Sequence, residues 1–149
     1  MKEMFTSNIR KLRKEFHVSQ PQLAKEICYS KSTISLWEIG TRTPCADAII
    51  ILSRYFQVST DYILKMTDDN TMLHRIDDFE VDMSAFTKRL KELRLKKKIS
   101  QDTLSNKTGL SQSAIGNWEI GKSIPTATAI IALARYFDVT TDYLLGECD

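Results

Sequence analysis

The sequence predicts an all-α protein built from two tandem five-helix domains joined by an acidic linker. Three observations carry that expectation. The chain repeats itself: residues 5–66 align without a gap on residues 86–147 at a constant offset of 81, and 28 of the 62 paired positions are identical. A unit of that length exceeds a solenoid repeat and suffices for a small domain with its own core. Apolar residues in each copy recur at helical rather than strand spacing. Serine, proline and glycine mark starts and stops at matching offsets in both copies. The expected boundaries are 1–66 for the first domain, 67–85 for the linker and 86–149 for the second domain.

In the first copy Phe5, Ile9, Leu12 and Phe16 recur at helical spacing with Arg10, Lys11, Arg13 and Lys14 between them. Ser19 reads as the N-cap of a second helix, with Gln22 three residues on in capping-box position. Leu23 and Ile27 form that helix's inward face. Ser30 opens a third helix with Ile34 and Trp37 inward, and Gly40 closes it from the C′ position. Thr43 and Pro44 read as cap and first-turn proline of the most apolar helix, Ala46 to Phe56. Ser59 or Thr60 caps a last short helix through Asp61, Tyr62 and Leu64.

The second copy repeats this reading. Phe86, Leu90 and Leu93 form its first stripe, Ser100, Ser111 and Pro125 mark starts, and Gly121 a stop. Between the copies, Phe79, Val81 and Met83 alternate as a short strand would, while Met72, Leu73, Ile76 and Phe79 fit one helical face. A solvated acidic connector is the plain alternative to both.

Hydrophobic content of 42% and charged content of 27% are ordinary for a globular protein. No apolar run approaches a membrane span, and Met1-Lys2-Glu3-Met4 has no apolar signal core, so a cytoplasmic setting is expected. Cys28, Cys45 and Cys148 are an odd, scattered set, and only His17 and His74 could join them, which leaves neither a metal site nor a disulfide framework. No cofactor and no small-molecule ligand is indicated. The charge is unevenly spread. Each copy carries a net +4, from nine Lys/Arg against five Asp/Glu in the first and ten against six in the second. The linker carries −5, with Arg75 against Asp68, Asp69, Asp77, Asp78, Glu80 and Asp82. Two modestly basic modules suit nucleic acid, although inert surfaces share that balance.

The second and third helices of each copy are short and joined by about three residues, the spacing of a helix-turn-helix. Ala24 lies where the two helices must approach closely. The pattern S-Q-x-x-L-(six)-S-x-S-x-I-x-x-W-E-I-G-(three)-P, present twice, resembles the Cro and phage-repressor class of helix-turn-helix proteins, the XRE family. The resemblance covers about four fifths of the chain. It implies two domains of the phage-repressor fold and a sequence-specific transcriptional regulator of the repressor type that binds double-stranded DNA, alone or as a homodimer. In that family the third helix enters the major groove. Carried over, the base-contacting positions are Lys31, Ser32, Ser35 and Leu36 in the first copy and Gln112, Ser113 and Asn117 in the second. Glutamine and asparagine can bond adenine bidentately, lysine reaches guanine acceptors, and serine suits either. Gln20 and Gln101 at the start of the second helix, and Thr41, Arg42, Lys122 and Ser123 after the third, become phosphate contacts, which position without reading sequence. Arg13 with Glu38, and Arg94 with Glu119, become structural ion pairs.

Two departures stand out. The family's turn commonly carries glycine, with positive φ, at the position of Cys28. Gly109 conforms, whereas Cys28 is expected to be strained or to force a different turn. Leu36 cannot hydrogen-bond a base as Asn117 can, and suits a thymine methyl or a protein surface. DNA reading therefore rests more on the second copy. The alternative reading is an antitoxin or immunity-type interaction protein in which the first helix-turn-helix is a dimerisation or docking surface.

Trp37 and Trp118 share helical register with Ile34 and Ile115 and read as core rather than as base-stacking platforms. Tyr55, Tyr62, Tyr136 and Tyr143 read as packing residues. Lys96, Lys97 and Lys98 fit a solvated face as well as a phosphate grip. No Ser, His and acid set has catalytic spacing, so an enzyme is not expected. The 19-residue linker has a coil span of about 24 Å and reaches roughly 60 Å extended, enough for two domains on adjacent grooves. The differing reading faces point to an asymmetric or direct-repeat-like operator.

Overall fold

The computed structural model describes residues 4–73 and 79–148. Among them the regular elements are ten helices and no strand. In order they are α1 (Ile9–Glu15), α2 (Gln20–Ile27), α3 (Lys31–Ile39), α4 (Ala46–Phe56), α5 (Thr60–Ile63), α6 (Ser84–Lys96), α7 (Gln101–Thr108), α8 (Gln112–Glu119), α9 (Ala127–Phe137) and α10 (Thr141–Leu145). They group into two compact units, α1–α5 and α6–α10. No helix among the described residues is long and apolar enough to cross a membrane.

Hydroxyl caps set the helix starts. Ser19, Ser30 and Ser59 in the first unit, and Ser100, Ser111, Thr126 and Thr140 in the second, each accept the N–H three residues on. Each such cap contributes about 1 kcal/mol. Of the two residues weighed for α5, Ser59 caps and Thr60 is its buried first residue. The fourth helix spans Ala46–Phe56 as expected, but Thr43 and Pro44 are not its cap and first turn. It begins at Ala46, and its counterpart α9 follows Thr126, so the proline precedes the cap position instead of occupying the first turn.

The first helices differ between units. Phe5 lies ahead of α1, which has 7 residues, whereas Phe86 lies inside α6, which has 13. Both are tied to the last helix of their unit. Asn8 Nδ2 donates to the Tyr62 carbonyl at 2.7 Å. The counterpart Arg89 donates to the Tyr143 carbonyl and lays its guanidinium over the Tyr143 ring, 4.3 Å from the centroid.

Ile9, Leu12, Leu23, Ile34, Leu52, Phe56 and Ile63 are buried in the first unit, as are Phe86, Leu90, Leu104, Ile115, Leu133 and Leu144 in the second. Each buried aliphatic or aromatic side chain contributes roughly 1.5–3 kcal/mol. Trp37 and Trp118 are core residues; Trp37 meets the Tyr29 ring edge-on with centroids 4.9 Å apart. The described part of the linker forms neither the strand nor the helix weighed from sequence, and Ile76 lies outside the described residues.

Candidate nucleic-acid interface

The turn between α2 and α3 is Cys28 to Ser30, and that between α7 and α8 is Gly109 to Ser111. Both open with a left-handed residue, Cys28 at φ 63° and ψ 41° and Gly109 at φ 76° and ψ 6°. Each donates its N–H back into the helix, to Ala24 and Ser105 respectively. Of the two outcomes expected for Cys28, the chain takes the same turn and bears the strain. For a residue with a Cβ that is roughly 1–2 kcal/mol.

Ile34 and Trp37 anchor α3 inward, and Ile115 and Trp118 anchor α8. That register turns the other face out. Lys31, Ser32 and Leu36 are exposed, Leu36 at 37%, and Ser35 is half-buried. On α8, Gln112 and Ser113 are exposed and Asn117 is half-buried. Ser32 shares a hydroxyl contact with the cap Ser30 at 3.1 Å, and Ser113 with Ser111 at 3.5 Å. Thr41, Arg42, Lys122 and Ser123 lie exposed just beyond these helices. Backbone bonds hold that loop close: Arg42 N–H to the Leu36 carbonyl at 3.3 Å and Lys122 N–H to the Asn117 carbonyl at 2.8 Å.

One carboxylate sets the pitch of each outward face. Arg13 Nε donates to Glu38 Oε1 at 2.5 Å, and Arg94 Nε to Glu119 Oε1 at 2.8 Å. The glutamate side chains are only 4% and 2% exposed. Each arginine also donates Nη1 to a carbonyl of the loop before the second helix, Val18 at 3.0 Å and Ile99 at 2.8 Å. Gln20 Nε2 donates to Glu38 Oε2 at 2.7 Å, and Gln101 Nε2 to Glu119 Oε2 at 2.6 Å. So Gln20 and Gln101, expected at phosphate, join the buried carboxylate, and three helices meet there in each unit. The amide nitrogen carries two protons, so one is left for a second acceptor. Gly116 is part of this arrangement: a Cβ there would stand 3.3 Å from Gln101 Oε1.

Sequence reasoning missed this third member because each glutamine and glutamate lie 18 residues apart, and only the folded turn brings them together. It also missed Ile39 and Ile120, matching residues at the ends of the third helices that are 55% and 72% exposed. Of the lysine run, Lys97 sets its ammonium 4.6 Å from the Tyr136 ring centroid, so this residue covers an aromatic.

Twice-repeated bihelical modules with a clamped, outward third helix define a class of recognition domain. The helix-turn-helix family model matches residues 9–63 and again 90–144, and the chain belongs to that family, the XRE class, with its domain present twice. It is similar to the uncharacterized HTH-type transcriptional regulator YobD of Bacillus subtilis, at 39% identity over 66 residues, 44% of this chain and 59% of that protein. It is similar also to the HTH-type transcriptional activator BcrR of Enterococcus faecalis, at 35% over 61 residues, 41% of this chain and 30% of that protein. A further relative is the uncharacterized HTH-type transcriptional regulator YqaE of Bacillus subtilis, at 33% over 62 residues, 42% of this chain and 53% of that protein. The chain thus spans about three fifths or less of the length of these curated relatives. These relatives are named as transcriptional regulators, not as enzymes. No solved structure matches the chain.

Proposed function

We propose that the protein is a sequence-specific double-stranded DNA-binding regulator of transcription, of the repressor type, that reads major grooves with α3 and α8. The observation that carries this reading is the pairing of an outward polar helix face with a buried Arg–Glu–Gln clamp, present in both units. A face held that rigidly suits recognition, since base discrimination needs side chains at fixed positions. Gln112 and Asn117 on α8 read bases by bidentate bonds, with Ser113 beside them. On α3, Lys31, Ser32 and Ser35 read bases by single hydrogen bonds, and Leu36 meets a thymine methyl. Thr41, Arg42, Lys122 and Ser123 hold phosphates, and Gln20 and Gln101 offer a phosphate their second amide proton while the first stays on the glutamate.

Leu36 and Ile39, both exposed on α3, are what favours the docking alternative for the first unit. The outward exposure of both third helices supports DNA. Selection of bound sequences from random duplexes, at two salt concentrations, decides between them. An enriched motif whose two halves differ is the expected result; absence of any enrichment at low salt overturns the reading. A strict palindrome bound through the second unit alone would remove the first unit from the DNA-reading role.

A further inference from the structure

The connector between the repeats is not bare where it leaves the first unit. Leu73 donates its N–H to the Gln57 carbonyl at 2.8 Å, one residue past the end of α4. Further along, Phe79 sets its ring against Tyr55, with centroids 6.5 Å apart. Arg54 Nη1 then donates to the Glu80 carbonyl at 3.0 Å. Tyr55 is itself fixed, edge-on to Phe56 at 4.9 Å and with its hydroxyl on Glu26 of α2. Burial first, and the Glu26 bond second, push its phenol up to about 12. At the far end, Asp82 Oδ1 accepts the Ser84 N–H at 2.9 Å, where α6 begins. Only residues 81–83 separate the last contact on α4 from the first residue of α6.

The second unit supplies a control. Its Tyr136, the counterpart of Tyr55, is covered by Lys97. A tyrosine at this place can therefore be covered from within its own repeat, and in the first unit the connector takes that role.

We infer that Leu73, Phe79 and Arg54 are determinants of operator spacing: by docking the connector on α4 they reduce the tether between the reading units to Val81, Asp82 and Met83. This rests on the DNA-binding reading above. Four Cα-to-Cα steps, from Glu80 to Ser84, extend at most about 14 Å, against roughly 60 Å for all 19 residues. One turn of duplex is about 34–36 Å. A docked tether cannot take up an additional turn, whereas a released one can. Where the tether spans the two half-sites, the second engagement is intramolecular and multiplies affinity; where it cannot, that gain vanishes.

The test uses the full chain and two labelled duplexes. One carries the half-sites at their selected spacing, and the other carries them with ten base pairs, about one turn, inserted between. The wild type is expected to bind the stretched duplex about 100-fold or more weakly. The Arg54→Ala, Leu73→Pro, Phe79→Ser triple variant loses the guanidinium, the N–H donor and the ring, and is expected to bind both within about tenfold. A twelve-residue Gly-Ser insertion after Val81 lengthens the extended tether to roughly 55 Å without touching the docking contacts, and should do the same. Amide exchange at Leu73 in the free protein reads docking independently of DNA, and protection is expected. Equal binding of both duplexes by the wild type, or free exchange at Leu73, overturns the inference and leaves the DNA-binding reading standing. Binding of no duplex at all, with Leu73 protected, overturns the DNA-binding reading and the spacing role with it, and leaves the docked connector.

Discussion

α3 and α8 are held by the same parts and show different faces. Arginine, glutamine and glutamate meet at matching positions in both units, with the donor atoms unchanged. The outward residues have diverged, Lys31 against Gln112, Ser35 against Gly116 and Leu36 against Asn117, while Ser32 and Ser113 agree. A scaffold that positions a helix from its buried side leaves the other side free to change. On the proposed reading, affinity for a groove is common to both units while the bases preferred differ.

The severest way to break this comparison is to remove the shared carboxylate. Glu119→Ala strands Arg94 in a pocket where it is nearly enclosed, and should cost about 3–5 kcal/mol of stability in urea unfolding. Glu38→Ala should cost a similar amount, and a loss below about 1 kcal/mol in either would show that the clamp does not hold the helix. Changing the faces alone should act on recognition instead. Gln112→Ala or Asn117→Ala should lose about 1–3 kcal/mol of discrimination between cognate and scrambled duplex while melting as the wild type does. Equal weakening on both duplexes would move those residues out of the reading role. The turn offers a gentler contrast. Cys28→Gly should raise stability by about 1 kcal/mol, because the left-handed conformation costs glycine little, and Gly109→Cys should lower it by as much. If both changes are neutral, the turn bears no strain. Last, Lys122→Ala should shallow the salt dependence of DNA binding by about one unit of slope. An unchanged slope would take that residue off the phosphate.

Much of this was legible in the chain because the signals are local. A serine three residues ahead of an unpaired N–H makes a cap wherever it stands, so Ser19, Ser30, Ser100 and Ser111 announce their helices. The left-handed Gly109 follows from the same short-range chemistry, and periodicity placed both tryptophans inside. What escaped depends on distance in the fold. The partner of Gln20 is Glu38, across a turn whose geometry no spacing rule supplies. Phe79 reads equally as strand or helix because its ring partner, Tyr55, belongs to another element. The range of α4 read correctly, but the place of Pro44 did not, because proline signals a first turn and does not exclude a place before the cap.

Gly116 gives the clamp a practical meaning for anyone who would re-aim this protein. The positions proposed to read bases form a replaceable insert: swapping Gln112, Ser113 and Asn117 for the residues of the other unit touches nothing that the glutamate holds. The single point of friction is position 116 itself. A serine there would press on the far end of Gln101, a flexible side chain that can give by a few tenths of an ångström. Exchange of recognition between the two halves is thus open in both directions, and the direction from α8 to α3, which only removes atoms at that spot, is the easier one.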